Sequence, residues 1–137
     1  MTVSAYIVNL LSNYEGIEID TNHVADGSDK YGLFKSPSRN ITEFNDNSYE
    51  ITEFYQLIAR QKTVSNSERK EADEFLEDLT YWIDDFSTNY EYPELGNNRK
   101  VSKIAITGCP YPMIAEDKDI EYQLSISITY LRERKEF

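Results

Sequence analysis

The spacing of apolar side chains divides the chain into two amphipathic helices and a series of strands. Val3, Tyr6, Ile7, Leu10 and Leu11 recur at i, i+3, i+4, i+7 and i+8, which places them on one helical face. They predict a short helix over residues 3–13, capped by Thr2 or Ser4 and ended at Gly16, because glycine readily takes the left-handed conformation just past a helix end. A stronger pattern covers residues 67–86, where Ala72, Phe75, Leu76, Leu79, Trp82, Ile83 and Phe86 share one face. Ser65, with Glu68 three residues on, offers a capping box at its start. This helix is expected to be the main cover of a sheet, its stripe buried against Tyr122, Leu124, Ile126 and Ile128.

The strands are read from a period of two. Ile17 and Ile19 alternate with charge, and Tyr31 to Phe34 form a short apolar run interrupted by Pro37. Proline has no ladder donor, so this part is expected at a sheet edge or in a loop. Ile41-Thr42-Glu43-Phe44, the polar turn Asn45-Asp46-Asn47-Ser48 and the run over residues 49–60 predict a hairpin. Phe54, Tyr55, Leu57 and Ile58 make its second arm apolar on both faces, as in a central strand. A further strand covers residues 101–107, with Ile104 and Ile106 on one face. Gly108-Cys109-Pro110-Tyr111-Pro112 is expected to break it and open a loop through Lys118.

The last strand has the cleanest pattern. Ile120, Tyr122, Leu124, Ile126, Ile128 and Tyr130 alternate with Glu121, Gln123, Ser125, Ser127 and Thr129. One face is apolar and the other wholly polar, as in an antiparallel sheet packed on one side. The order helix, strands, helix, strands predicts one domain over residues 1–137. Its fold class is α+β, a two-layer sandwich with a mostly antiparallel sheet and helices on one face.

Composition narrows the function classes. The 137 residues carry 25 acidic and 14 basic side chains, a formal net charge of −11. That balance opposes specific nucleic-acid binding, which draws on a basic face. With 13% aromatic residues the chain is too rich in core-forming side chains for a disordered acidic tail. The apolar stretches fall short of the ~18 residues of a membrane span, so no membrane partner is expected. No charged start precedes an apolar run, since the first basic residue is Lys30, and this predicts a cytoplasmic protein. Between Ser65 and Phe86 stand eight acidic and two basic residues, net −6, so the second helix should present a negative surface.

No catalytic constellation is legible. His23 is the single histidine and Cys109 the single cysteine, too few for a disulfide framework or a zinc site. No Ser or Cys stands near His23, and nothing positive flanks Cys109 to lower its pKa. The pairs Asp73-Glu74, Glu77-Asp78, Asp84-Asp85 and Glu116-Asp117 are adjacent in sequence, and neighbours on a helix point about 100° apart rather than at one ion. Phosphate loops and paired-cysteine motifs are absent from the sequence. The expectation is a protein that is not an enzyme and takes no metal or cofactor. Two features stand out instead as interface or lumen candidates. One is the polar face Glu121, Gln123, Ser125, Ser127 and Thr129. The other is the set of loop tyrosines Tyr90, Tyr92 and Tyr111, beside Pro93, Pro110 and Pro112. Tyrosine suits interfaces because it gives wide contact with a polar tip; packing of those loops on the domain's own core is the equal alternative.

The order of parts resembles a known group. A short N-terminal helix leads into irregular strands, then into the acidic helix with Phe75-Leu76-Glu77-Asp78-Leu79-Thr80-Tyr81-Trp82-Ile83. Pro93-Glu94-Leu95-Gly96, a strand over residues 101–107 and a turn at Gly108 follow. An acidic loop then precedes Ile120-Glu121-Tyr122-Gln123-Leu124-Ser125-Ile126-Ser127-Ile128-Thr129-Tyr130. This resembles the tail terminator (minor capsid, or tail completion) proteins of long-tailed bacteriophages of Gram-positive hosts. The likeness covers most of the chain and is most specific from Phe75 to Tyr130. It implies a structural protein that forms a homo-oligomeric, hexameric ring on the head-proximal end of the tail tube. Such a ring stops tube polymerisation and offers the head-joining surface. The implied partners are the tail tube protein and a head-completion or connector protein. The implied location is the virion tail, and the bacterial cytoplasm during assembly. An acidic lumen would let DNA slide without sticking. The alternative is a small acidic cytoplasmic inhibitor or DNA mimic that binds a basic partner.

Overall fold

A computed structural model describes residues 1–26, 29–62, 65–86, 90–115 and 119–135, with the backbone alone at 62, 113–115 and 119. In chain order the elements are α1 (Val3–Leu11), β1 (Ile19–Thr21), β2 (Lys30–Glu43), β3 (Ser48–Lys62), α2 (Asn66–Asp84), β4 (Arg99–Ile106), β5 (Tyr111–Ala115) and β6 (Asp119–Glu133). The sheet order is β1-β2-β3-β6-β4, and β5 pairs with β6 on the same side as β4. Every pairing is antiparallel except β1 with β2. The class is α+β, a two-layer sandwich as expected. No helix among the described residues is long and apolar enough to cross a membrane.

β3 and β6 form the spine. Their register runs unbroken from Ser48↔Glu133 to Lys62↔Asp119, about 50 Å of ladder at ~3.4 Å per residue. Alternation then sorts side chains to two faces. Ile51, Tyr55, Leu57 and Ala59 of β3 and Leu124, Ile126, Ile128 and Tyr130 of β6 are buried on one face. β2 adds Tyr31 and Leu33, and β4 adds Val101 and Ile104. Both helices cover this face: the α1 side chains of Val3, Tyr6, Ile7, Leu10 and Leu11 join the same apolar core as Leu76, Leu79 and Ile83 of α2.

The caps agree with the sequence reading. The Thr2 hydroxyl accepts from the Ala5 amide at 3.1 Å. Ser65 and Glu68 close a reciprocal capping box, each accepting the other's backbone N–H at 3.1 Å. α1 stops at Leu11, two residues before the expected end, and the chain turns through Glu15 and Gly16, both at positive φ. The α2 stripe is not uniformly buried. Ala72, Leu76, Leu79 and Ile83 are, whereas Phe75, Trp82 and Phe86 are half-buried. These rings lie on the flank of the stripe and meet other rings sideways: Tyr14 stands 5.6 Å from Phe75 and 5.3 Å from Trp82, and Trp82 stands 4.9 Å from Phe86.

Of the edge and loop alternatives at Pro37 the edge holds, but the strand is not interrupted: β2 continues past it to Glu43, with a register shift between Lys35 and Arg39. Proline is accommodated there because it sits in the irregular stretch of an edge strand, where a missing donor costs no ladder bond. The segment after Gly108 is also not loop throughout. Thr107 still donates to the Ser125 carbonyl at 3.0 Å, and the chain rejoins the ladder as β5, with Tyr111 opposite Gln123. The hairpin turn at Phe44–Asn47 is as expected. Phe44 N–H donates to Ser48 O at 2.9 Å, and Asn47 takes a φ of +71°. The Asp46 carboxylate accepts from the Ser48 hydroxyl and amide, which hold its pKa below the usual range. Residues 116–118 of the loop expected through Lys118 lie outside the described residues.

The parallel β1–β2 pair requires a crossover, and it passes over the helix-free face at Gly32. A Cβ on Gly32 would collide with the His23 carbonyl and the Val24 side chain. Gly32→Val is therefore expected to displace this crossover and lower the urea midpoint by an amount corresponding to more than ~1 kcal/mol, as overpacking does. A midpoint equal to that of the parent would mean that the crossover does not press on Gly32.

Candidate functional site

The helix-free face is built on β6. Glu121, Gln123, Ser125, Ser127 and Thr129 point to it, as the pattern predicted, and face Arg60, Ile58, Gln56, Phe54 and Thr52 of β3 in register. β4 contributes Lys103 opposite Thr129 and Ala105 opposite Ser127. β5 contributes Tyr111 opposite Gln123. No helix among the described residues lies over these side chains, yet most are half-buried, because those of β3 and β6 are flanked by strands on both sides.

Hydrogen bonds tie the face together. The Arg60 guanidinium holds Glu121 Oε1 through Nη2 at 2.7 Å and Nε at 3.3 Å, and its Nη1 reaches the Ala25 carbonyl of the crossover at 2.6 Å. The Tyr111 hydroxyl donates to Gln123 Oε1 at 2.8 Å, and the Thr52 and Thr129 hydroxyls stand 2.9 Å apart. Gln123 is 7% exposed. Glu121 and Gln123 are thus structural members of the face, with Gln123 withdrawn from its surface, while Ser125 and Ser127 form its centre.

The charge of the face departs from expectation. Its described strand residues carry Lys30, Arg60, Lys100 and Lys103 against Asp20, Glu50, Glu121 and Glu133. The excess of acid is elsewhere. Glu71, Asp73, Glu74, Glu77, Asp78, Asp84 and Asp85 of α2 and its C-cap are exposed on the opposite layer. A passage lined by the polar sheet face would be wet and nearly charge-balanced, not acidic. Sequence reading missed this because the balancing cations come from β2, β3 and β4, and only the register brings them beside β6.

The three loop tyrosines separate. Tyr111 joins the helix-free face and is 49% exposed. Tyr90 and Tyr92 belong to the helix layer. Tyr90 stacks on Phe86 at 4.7 Å, and Tyr92 lies edge-on to Tyr90 at 4.8 Å. The Tyr92 hydroxyl accepts from the Ile104 N–H at 3.1 Å, so this loop covers the outer edge of β4. Burial pushes the Tyr92 hydroxyl above its ordinary pKa. His23 and Cys109 are both exposed. Among the described residues no group of three or more His, Cys, Asp or Glu is placed to hold a metal ion.

One buried carboxylate was not anticipated. Glu53 of β3 is 4% exposed and points into the helix-covered core. Lys35 meets it at 2.6 Å, and this hydrogen bond raises the Lys35 pKa. The Tyr130 hydroxyl is also pushed up, by burial first and then by its hydrogen bond to Glu53. The sequence signal was present, since Glu53 falls on the apolar alternation of Ile51, Tyr55 and Leu57.

No protein-family model matches this chain. No curated protein matches it at a significant level of similarity.

Proposed function

We propose that this chain is a non-enzymatic phage tail terminator, a ring-forming protein that stops tail-tube growth and presents the head-joining surface. The observation that carries the reading, beside the resemblance over residues 75–130, is the long helix-free face of β3 and β6. A soluble single sheet that leaves one face rich in hydroxyl and amide groups suits a wall past which a polyanion slides. Balanced charge neither traps phosphate nor excludes it. In this arrangement Ser125 and Ser127 lie at the passage, and the acidic α2 layer faces outward, where it suits basic patches on the tube or connector protein.

The test is deletion of the gene from the phage or prophage that encodes it. The expected result is full heads and overlong, unjoined tails, restored by the protein in trans. Normal virions from the deletion strain would overturn the terminator reading. They would turn attention to the α2 surface as the docking face of an acidic inhibitor, the second reading that its exposed carboxylates support.

A further inference from the structure

The two long edges of the sheet are treated differently. On the β4 side the edge is closed: Tyr92 takes the Ile104 N–H, Gly96 bridges Arg99, and the register slips between Val101 and Lys103. On the β2 side, β1 pairs with Tyr31, Gly32 and Leu33 alone. Beyond the irregular stretch at Pro37, residues 39–43 pair regularly with β3 on their inner side. On the outer side no strand among the described residues pairs with them. All five are exposed, Ile41 at 44%, and Phe44 beside them is also 44% exposed. A regular, uncovered edge with an apolar residue at its centre is a template for another strand.

We propose that this edge pairs antiparallel with the same edge of a second copy of the chain, centred on Ile41. The sequence of the edge is self-complementary in that register alone. Centring on Ile41 sets Ile41 against Ile41 of the second copy, Asn40 against Thr42, and Arg39 against Glu43 at both ends. Arg39, Ile41 and Glu43 share the helix-covered side of the sheet, because they face Glu53, Ile51 and Tyr49 in register. Directly opposed side chains on one face are the unit of sheet stabilisation, and opposite charges there are favourable. Moving the centre to Asn40 sets Ile41 against Arg39; moving it to Thr42 sets Ile41 against Glu43. Either shift loses both charge pairs. Glu43 also meets Arg134 at 2.6 Å, but this carboxylate is 69% exposed and keeps its second oxygen for the partner. The contact is two-fold and closes on itself, giving one continuous sheet with all helices on one side. It spans only about 17 Å of strand, so the pair dissociates on dilution. The proposal is independent of the terminator reading: a ring needs head-to-tail contacts, which this edge does not supply.

Sedimentation velocity over a concentration series tests it. The expected result is a species of twice the 16.0 kDa chain mass at high concentration that falls to monomer on dilution. Arg39→Glu or Glu43→Arg, each alone, opposes like charges at both ends and should abolish the dimer. The double variant R39E/E43R restores opposite charges and should recover it. A dimer that survives both single variants, or a double variant that stays monomeric, overturns the proposal. An orthogonal readout is Ile41→Cys in a Cys109→Ser background. Paired Cα atoms across an antiparallel ladder lie ~4.5–5.5 Å apart, within disulfide range, so mild oxidation should yield a covalent dimer. Absence of both the reversible dimer and the covalent one also overturns the proposal.

Discussion

Leu79→Ala is expected to destabilise the protein more than Trp82→Ala, although tryptophan is much the larger side chain. Leu79 is fully buried at the middle of α2, where truncation leaves a cavity and costs ~2–5 kcal/mol. Trp82 is half-buried and rests on Tyr14 and Phe86 at the flank of the helix. Part of its surface is already in water, so the same truncation should cost about 2 kcal/mol or less. Reading the periodicity alone puts Trp82 in the core and reverses this order. Urea unfolding of both variants, compared at equal m-values, decides between the two. A larger loss for Trp82→Ala would show that Trp82, not Leu79, anchors α2.

Raising the pH above ~10 should unfold the protein cooperatively. Burial raises the pKa of Tyr6, Tyr14, Tyr31, Tyr55, Tyr92, Tyr122 and Tyr130, that of Tyr6 to about 12. The pKa of Lys35 is raised first by its hydrogen bond to Glu53. The unfolded chain ionises its phenols near pH 10, before the folded chain can. Above that pH the unfolded state binds fewer protons than the native state, so stability falls as pH rises. The contribution of these groups is complete below pH ~10 and is lost as pH passes the raised values. Tyrosinate absorbance and circular dichroism followed together should change at one midpoint for the buried phenols. Gradual ionisation with the fold intact would show that the rings are open to water. Tyr6 offers a sharper test, because its buried hydroxyl has no hydrogen-bond partner among the described residues. Tyr6→Phe removes an ionisable group and no hydrogen bond, so it should leave stability at pH 7 nearly unchanged and move the alkaline midpoint upward.

Much of the fold was legible because its signals are local. The Ser65–Glu68 capping box, the buried α2 positions Ala72, Leu76, Leu79 and Ile83, the hairpin turn at Asp46-Asn47 and the two-faced alternation of β6 depend on residues within one or two turns of each other. The errors came where a distant partner decides the outcome. Pro37 reads as a strand breaker, but β2 passes it because its outer side needs no donor there. Pro110 and Pro112 read as loop, but β6 offers a ladder that β5 rejoins. Tyr90, Tyr92 and Tyr111 look alike in sequence. Their separation between the helix layer and the open face depends on Phe86, Ile104 and Gln123, which the chain brings to them.

By itself the sequence determines the class of this protein: two amphipathic helices, a one-sided antiparallel sheet and the polar face of its last strand. Periodicities of 3.6 and 2 are properties of consecutive residues and survive without knowledge of neighbours. The tertiary structure alone decides what that face carries and which edge of the sheet is free. Lys30, Arg60 and Lys103 reach the side of Glu121 to Thr129 through strand order and register. Tyr92 closes the β4 edge, while residues 39–43 of β2 have no outer strand among the described residues. Order and register are non-local, set by the burial of Ile51, Tyr55, Leu57, Leu124, Ile126 and Ile128 in one core, where a slip of one residue would turn every apolar side chain to water.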